Sequence, residues 1–150
     1  MKTAFARAIA SGGGVGFLPR APGTWASLFA AVVGAALLAL GHHALLAAVL
    51  LAAIGGLWAI AEAGAGGHDP GWVVIDEIAG QWLALLPLGA PRFWPILLGF
   101  ALFRLFDIWK PGPIGGLDRR HDTLGVMGDD LVAGGFAAAI LWLVQRGGGW

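Results

Sequence analysis

Residues 21–61 read APGTWASLFAAVVGAALLALGHHALLAAVLLAAIGGLWAIA, with Arg20 before them and Glu62 after. No Asp, Glu, Lys or Arg interrupts the run. A membrane-spanning helix needs roughly 20 mostly apolar residues. The run therefore holds two, from about Trp25 to Leu40 and from about Ala44 to Ala61, with Gly41, His42 and His43 as the turn between them. Both are uncharged on every face, as a lipid environment requires. The whole chain agrees: 58% of its 150 residues are hydrophobic and 12% are charged. With the 26 glycines, about three quarters of the chain is apolar, against about 45–50% in soluble domains. Eight Trp and eight Phe exclude a disordered chain. The sequence predicts one all-α domain, residues 1–150, that crosses a membrane several times.

Three shorter apolar runs follow: Ile78 to Leu88, Pro95 to Phe106, and Leu131 to Val144. The first two flank a Gly89–Arg92 break and read as a tilted hairpin or as a re-entrant element packed inside the protein. The third lengthens if it begins at Asp129 or Asp130, where an acid suits the helix dipole. The count is four or five membrane helices. Met1 to Arg20 has basic residues but no long apolar core, so it reads as an interfacial segment and not as a signal peptide.

Threaded as five crossings, the chain puts Lys2, Arg7, Arg20, Arg104, Lys110, Arg119 and Arg120 on one side, and Arg92 and Arg146 on the other. The excess of basic residues marks the first side as cytoplasmic. All nine acids fall there too: Glu62, Asp69, Asp76, Glu77, Asp107, Asp118, Asp122, Asp129 and Asp130. The polar site is therefore expected to face the cytoplasm. Zero net charge leaves no basic surface for nucleic acid. The absence of cysteine removes thiol chemistry, and no obligate protein partner is evident.

Four polar segments carry chemistry. Pro22-Gly23-Thr24-Trp25-Ala26-Ser27 opens the first span, where Thr24 or Ser27 would cap the helix and leave backbone N–H groups for an anion; an ordinary interfacial cap is the plainer reading. Asp76 and Glu77 stand together at the mouth of an apolar run. Two such carboxylates repel unless a cation lies between them, and hard divalent cations prefer oxygen donors of this kind; acids in water at a helix start explain them equally well. Arg104, Asp107 and Lys110 recur every three residues and share a helix face, which Pro111 should end at Lys110. That stripe supplies two cations for a phosphate beside an acid for a metal. Asp129 and Asp130 form a second acid pair, and His121 nearby is able to move protons. Two acid pairs near a basic cluster point to a divalent-metal phosphate site.

These strings resemble the phosphatidylglycerophosphatase A family of bacterial lipid phosphatases. The matching residues are Pro22-Gly23-Thr24-Trp25; Asp69-Pro70 with Val73-Val74-Ile75-Asp76-Glu77-Ile78-Ala79-Gly80; Phe103-Arg104, Phe106-Asp107, Lys110-Pro111 and Pro113-Ile114; and Gly125-Val126-Met127, Asp129-Asp130 and Ala133-Gly134. They follow the family's order across residues 22–134. The resemblance implies an all-helical fold in the bacterial inner membrane and Mg²⁺-dependent hydrolysis of phosphatidylglycerophosphate to phosphatidylglycerol and phosphate. Carried over by position, its functional residues are Asp76, Glu77, Arg104, Asp107, Lys110, Asp129 and Asp130, with Thr24 as a lesser one. Ala26 stands where a glycine is expected, and His121-Asp122-Thr123-Leu124 replaces a more glycine-rich approach to Gly125.

The expectation is then one or two Mg²⁺ ions held by some of Asp76, Glu77, Asp107, Asp129 and Asp130. Arg104, Lys110 and Thr24 would bind the phosphate, supported by Arg119 or Arg120, and a remaining carboxylate or His121 would take the proton from water. The chain has no Asp-x-Asp motif, cysteine nucleophile, Ser-Gly-His or Arg-Pro pairing, which leaves attack by a metal-activated water. The competing class is a small ion or proton transporter that uses the acids as a cation site. It would need polar groups at bilayer depth or on both faces, and the spans carry almost none.

Overall fold

A computed structural model describes residues 1–67 and 70–148; His68, Asp69, Gly149 and Trp150 lie outside the described residues. Among the described residues there are helices and no strands. In chain order they are α1 (Lys2–Ala10), a 3₁₀ turn (Val15–Phe17), α2 (Pro22–Leu40), α3 (His42–Glu62), α4 (Ile75–Leu85), α5 (Phe93–Trp109), α6 (Pro113–Asp118) and α7 (Thr123–Arg146).

Three of these, α2, α3 and α7, are long and apolar enough to cross a membrane. The expected four or five is not confirmed, because α4 and α5 are shorter. At about 1.5 Å per residue, the 11 residues of α4 give roughly 16 Å and the 17 of α5 roughly 26 Å, both short of the ~30 Å hydrocarbon core. Eight of the 11 α4 residues are buried, so this helix is enclosed by protein, as a re-entrant element would be. The boundary between α2 and α3 is also tighter than expected. Gly41 alone makes it, at φ 122, a conformation that costs other residues dearly. His42 already belongs to α3, and its Nε2 lies 2.8 Å from the Leu88 carbonyl oxygen.

Helix α4 is the axis of the bundle. Trp82 Nε1 donates to the Ala30 carbonyl at 2.9 Å, and Gly34 meets Leu85 and Trp82, so α2 runs parallel to α4. Asp130 lies beside Asp76 and Glu77 while Leu141 clusters with Leu85, so α7 is parallel as well. Helices α3 and α5 run the other way: Gly56 touches Ile75 while Leu45 clusters with Leu85 and Leu88, and Gly99 sits against Leu85 while Phe103 sits against Gly80. The start of α2, the end of α3, the start of α4, the end of α5 and the start of α7 thus gather at one end. All but the first of these carry acids, and Asp118 on α6 reaches Lys110 beside them, so among the described residues the one-sided distribution read from the sequence is a property of the bundle.

Helix α1 lies on α3 with Ala6 and Ala10 buried. Arg7 stacks over the Trp72 ring at 5.2 Å, a cation–π contact that ties the N-terminal segment to the loop before α4.

Candidate active site

Helix α4 begins beyond the Pro70–Gly71 turn with Asp76 and Glu77 in its first turn, where the macrodipole favours acids. Helix α7 begins at Thr123, six residues before the second acid pair, so Asp129 and Asp130 lie inside the helix and do not open it. The expected dipole role passes to Asp122. It is the N-cap, and its carboxylate accepts from the Gly125 N–H at 2.7 Å. The departure at residues 121–124 therefore builds a competent helix start. Arg120 pairs with the same carboxylate at 2.6 Å. The Arg120 hydrogen bond, followed by that of Gly125, holds the Asp122 pKa below the usual carboxylate range.

What joins the two acid pairs is a backbone contact. A Cβ at Gly80 would lie 2.5 Å from the Asp130 carbonyl oxygen, and one at Gly134 would strike the Gly80 carbonyl. Two glycines thus let α4 and α7 touch main chain to main chain. As a result Asp76, Glu77 and Asp130 each offer a carboxylate oxygen, all within 4.8 Å of one another. Asp76 and Asp130 are 4% and 3% exposed. At an effective dielectric near 20, two full charges at that separation repel by about 3.5 kcal/mol. Three oxygen donors so confined suit a hard divalent cation.

The other two predicted acids are held by cations. Arg104 Nη1 donates to Asp107 and comes within 3.5 Å of Ser27 Oγ. Asp107 remains close enough to Asp130 for their charges to interact. Lys110 leaves the stripe it was expected to share with Arg104 and Asp107. Helix α5 ends at Trp109 and Lys110 takes a left-handed conformation, φ 49, because the following Pro111 disfavours the right-handed one. Its Nζ then reaches Asp118 and donates to Asp129 at 2.8 Å. Partial burial disfavours the ammonium, but those two carboxylates outweigh it and hold the Lys110 pKa above the ordinary lysine value.

Thr24 and Ser27 do not cap α2. Its N-cap is Ala21, with no side-chain hydrogen bond, and Ser27 Oγ donates back to the Gly23 carbonyl at 2.7 Å. Thr24 instead sits in the first helical turn beside Gly23, whose Cβ, if present, would collide with Glu77 Oε1 and lie 3.4 Å from Arg104 Nη1. The start of α2 therefore rests on the acid–arginine centre. Ala26, in place of the expected glycine, packs with Ala30, Val74 and Ile78. Arg119 is exposed. Arg120 and His121 line a cavity of about 230 Å³ beside Asp129, together with Asp118 and Gly125.

Two features were not anticipated from sequence. Among the described residues, Gln81, fully buried, finds no hydrogen-bond partner for either side-chain polar atom, and neither does the buried Nε of Arg104. The signal for Gln81 is its position: a lone amide in an apolar helix, one turn after Glu77.

Fold and site together define a helical, membrane-type protein with a buried acid and cation centre at one end of its bundle. The chain matches the family Phosphatidylglycerophosphatase A over residues 8–145. It is 35% identical to phosphatidylglycerophosphatase A of Escherichia coli, over 91% of this chain and 81% of that protein. Identity is 36% with phosphatidylglycerophosphatase A of Haemophilus influenzae, over 91% and 86%. A Bacteroides thetaiotaomicron protein named "Putative phosphatidylinositol-3-phosphatase" is 38% identical, over 89% of each chain. No solved structure matches significantly. The chain belongs to the phosphatidylglycerophosphatase A family. It is an enzyme of the phosphoric monoester hydrolase class.

Proposed function

We propose that this enzyme removes the terminal phosphate of phosphatidylglycerophosphate, giving phosphatidylglycerol and phosphate, at the cytoplasmic face of the bacterial inner membrane and with Mg²⁺ as cofactor. The observation that carries the reading is the convergence of Asp76, Glu77 and Asp130 within 4.8 Å at the end of the bundle where Arg104 and Lys110 also lie. These three all-oxygen donors would hold the ion. Bound there, Mg²⁺ supplies charge neutralisation at the phosphate and lowers the pKa of water.

The chain's own residues do the rest. Asp107 holds one end of the Arg104 guanidinium, which leaves its buried Nε as a donor for a phosphate oxygen, a charge-assisted bond of the stronger kind. Thr24 stands in the first turn of α2 beside Gly23, which rests on Glu77 and Arg104, and would offer its hydroxyl to the phosphate. Lys110 balances Asp129, so a second excess negative charge does not face the incoming phosphate. Water attacks phosphorus, the bond to the glycerol oxygen breaks, and the proton lost by water is taken by Asp129 or by His121, neighbours in one cavity, and passed on to the departing glycerol oxygen. Arg120 in its lining, with the exposed Arg119 next to it in sequence, would add positive potential.

Phosphate release from phosphatidylglycerophosphate and from phosphatidylinositol 3-phosphate, in matched micelles with Mg²⁺, tests the substrate assignment. The reading predicts preference for the first; turnover confined to the second would replace it.

A further inference from the structure

Away from the polar centre, α2 and α5 leave an open groove of about 380 Å³ between them. Its lining is apolar throughout, with Leu28, Ala31 and Ala35 on α2 and Ile96, Leu97 and Phe100 on α5. Ala31 and Ala35 stand one turn apart and have no side chain long enough to fill the space. Leu28 and Leu97 rise as rims, 44% and 42% exposed. The groove covers residues 28–35 of α2 and 93–100 of α5, roughly 10 Å along each helix.

Its position gives its occupant. Leu28 follows Ser27 directly, and Phe100 lies one turn before Arg104, the two residues that approach to 3.5 Å across the α2–α5 junction. The groove therefore begins immediately below the phosphate-binding end of the site and runs away from it toward the opposite end of the bundle. An amphiphile with its phosphate at Arg104 and Thr24 has its hydrocarbon directed into this trough. No charged or polar side chain lines the groove, as a head-group ligand would require.

We propose that the α2–α5 groove seats one acyl chain of the lipid substrate and so selects membrane-anchored phosphate monoesters over their soluble head groups. The inference rests on the lipid phosphatase reading and extends it to the hydrophobic half of the substrate. Each methylene placed in such a slot is worth a modest factor in kcat/KM, and several together a large one.

The test fills the groove from either wall. Ala35→Phe plugs its floor and Leu97→Trp narrows it from the exposed rim, where folding is least at risk. Wild type and variants are compared on dioleoyl phosphatidylglycerophosphate in micelles and on the same head group without acyl chains. The expected result is a roughly tenfold fall in kcat/KM for the diacyl substrate, mostly in KM, with the deacylated substrate turned over at the wild-type rate. Equal kinetics on the diacyl substrate in both variants, or parallel losses on both substrates, would overturn the groove assignment while leaving the phosphatase reading intact. A wild-type enzyme that releases phosphate from neither substrate would sink the phosphatase reading, and the groove assignment with it.

Discussion

Replacing Gly80 with alanine tests how the carboxylate trio is assembled. The new Cβ would lie 2.5 Å from the Asp130 carbonyl oxygen and 2.6 Å from Phe103 Cε2. The first neighbour is main chain, so no rotamer change relieves it. Carbon–oxygen contacts between helices sit at about 3.3–3.6 Å, so α4 and α7 must part by roughly 0.8–1 Å at this point. Overpacking of this kind costs about 1–3 kcal/mol, while alanine gains about 1 kcal/mol of helix preference over glycine. The net loss of stability is therefore small, about 0–2 kcal/mol. Activity should suffer far more. Asp130 is the residue being displaced, and a 1 Å misplacement in a catalytic constellation costs on the order of 10²-fold. The assay is phosphate release per folded enzyme, with the thermal midpoint measured on the same preparation. Gly135→Ala is the control, since nothing lies within 4 Å of its Cβ; it should keep full activity and an equal or higher midpoint. Wild-type turnover in Gly80→Ala, or an equal loss in Gly135→Ala, would refute the claim that this backbone contact builds the site.

Four further outcomes follow from the same geometry. Asp76→Asn should abolish turnover, by about 10³-fold or more, while the thermal midpoint in metal-free detergent stays equal or rises, because one of the clustered charges is gone; residual activity above a tenth of wild type would remove Asp76 from the centre. Lys110→Met should destabilise the protein by about 2 kcal/mol, because it leaves the nearly buried Asp129 without its charge-assisted partner. Since the folded Lys110 pKa is raised, the ion pairs contribute fully below the ordinary lysine value of ~10.4 and are lost only as pH rises through the higher folded value. The wild-type-to-variant gap in midpoint should therefore be flat from about pH 6 to 9; a gap that closes within that window would contradict the assignment. Asp122 behaves in the opposite sense: its lowered pKa means that its cap contributes above about pH 4 and is lost on acidification through the folded value, so Asp122→Ala should lower the midpoint at neutral pH and make little difference in strong acid. Gln81→Leu removes two buried polar atoms with no hydrogen-bond partner among the described residues, so the midpoint should rise by a few degrees; a fall would contradict the reading that the amide is unsatisfied within the protein.

Much of this arrangement is legible in the residues. The uncharged run from 21 to 61 gives α2 and α3 nearly to their ends, because length and hydropathy alone decide a spanning helix. The acids of five separate segments meet at one end because successive helices reverse direction, which charge spacing already implied. What the sequence hides is mostly tertiary. The number of spans is not legible at α4 and α5, because a short apolar run looks the same whether lipid or protein surrounds it. The start of α7 was placed too late because Gly125 and Gly128 interrupt the hydropathy, although Asp122 is a good N-cap in plain view. Of the Arg104–Asp107–Lys110 stripe, the helical spacing holds for Arg104 and Asp107 and not for Lys110, since the left-handed turn there redirects it to α7. That the trio is Asp76, Glu77 and Asp130 depends on the Gly80–Gly134 contact, which no local pattern announces.

The central claim is that these three carboxylates form the metal centre of a phosphate monoester hydrolase. Its most direct test is phosphate release from phosphatidylglycerophosphate as Mg²⁺ is restored after chelation, for wild type and for Asp130→Asn. The account predicts that wild type regains turnover with added Mg²⁺ while folded Asp130→Asn stays inactive at every concentration. Full wild-type turnover in the presence of chelator, or a Mg²⁺ response in Asp130→Asn equal to that of wild type, would contradict it.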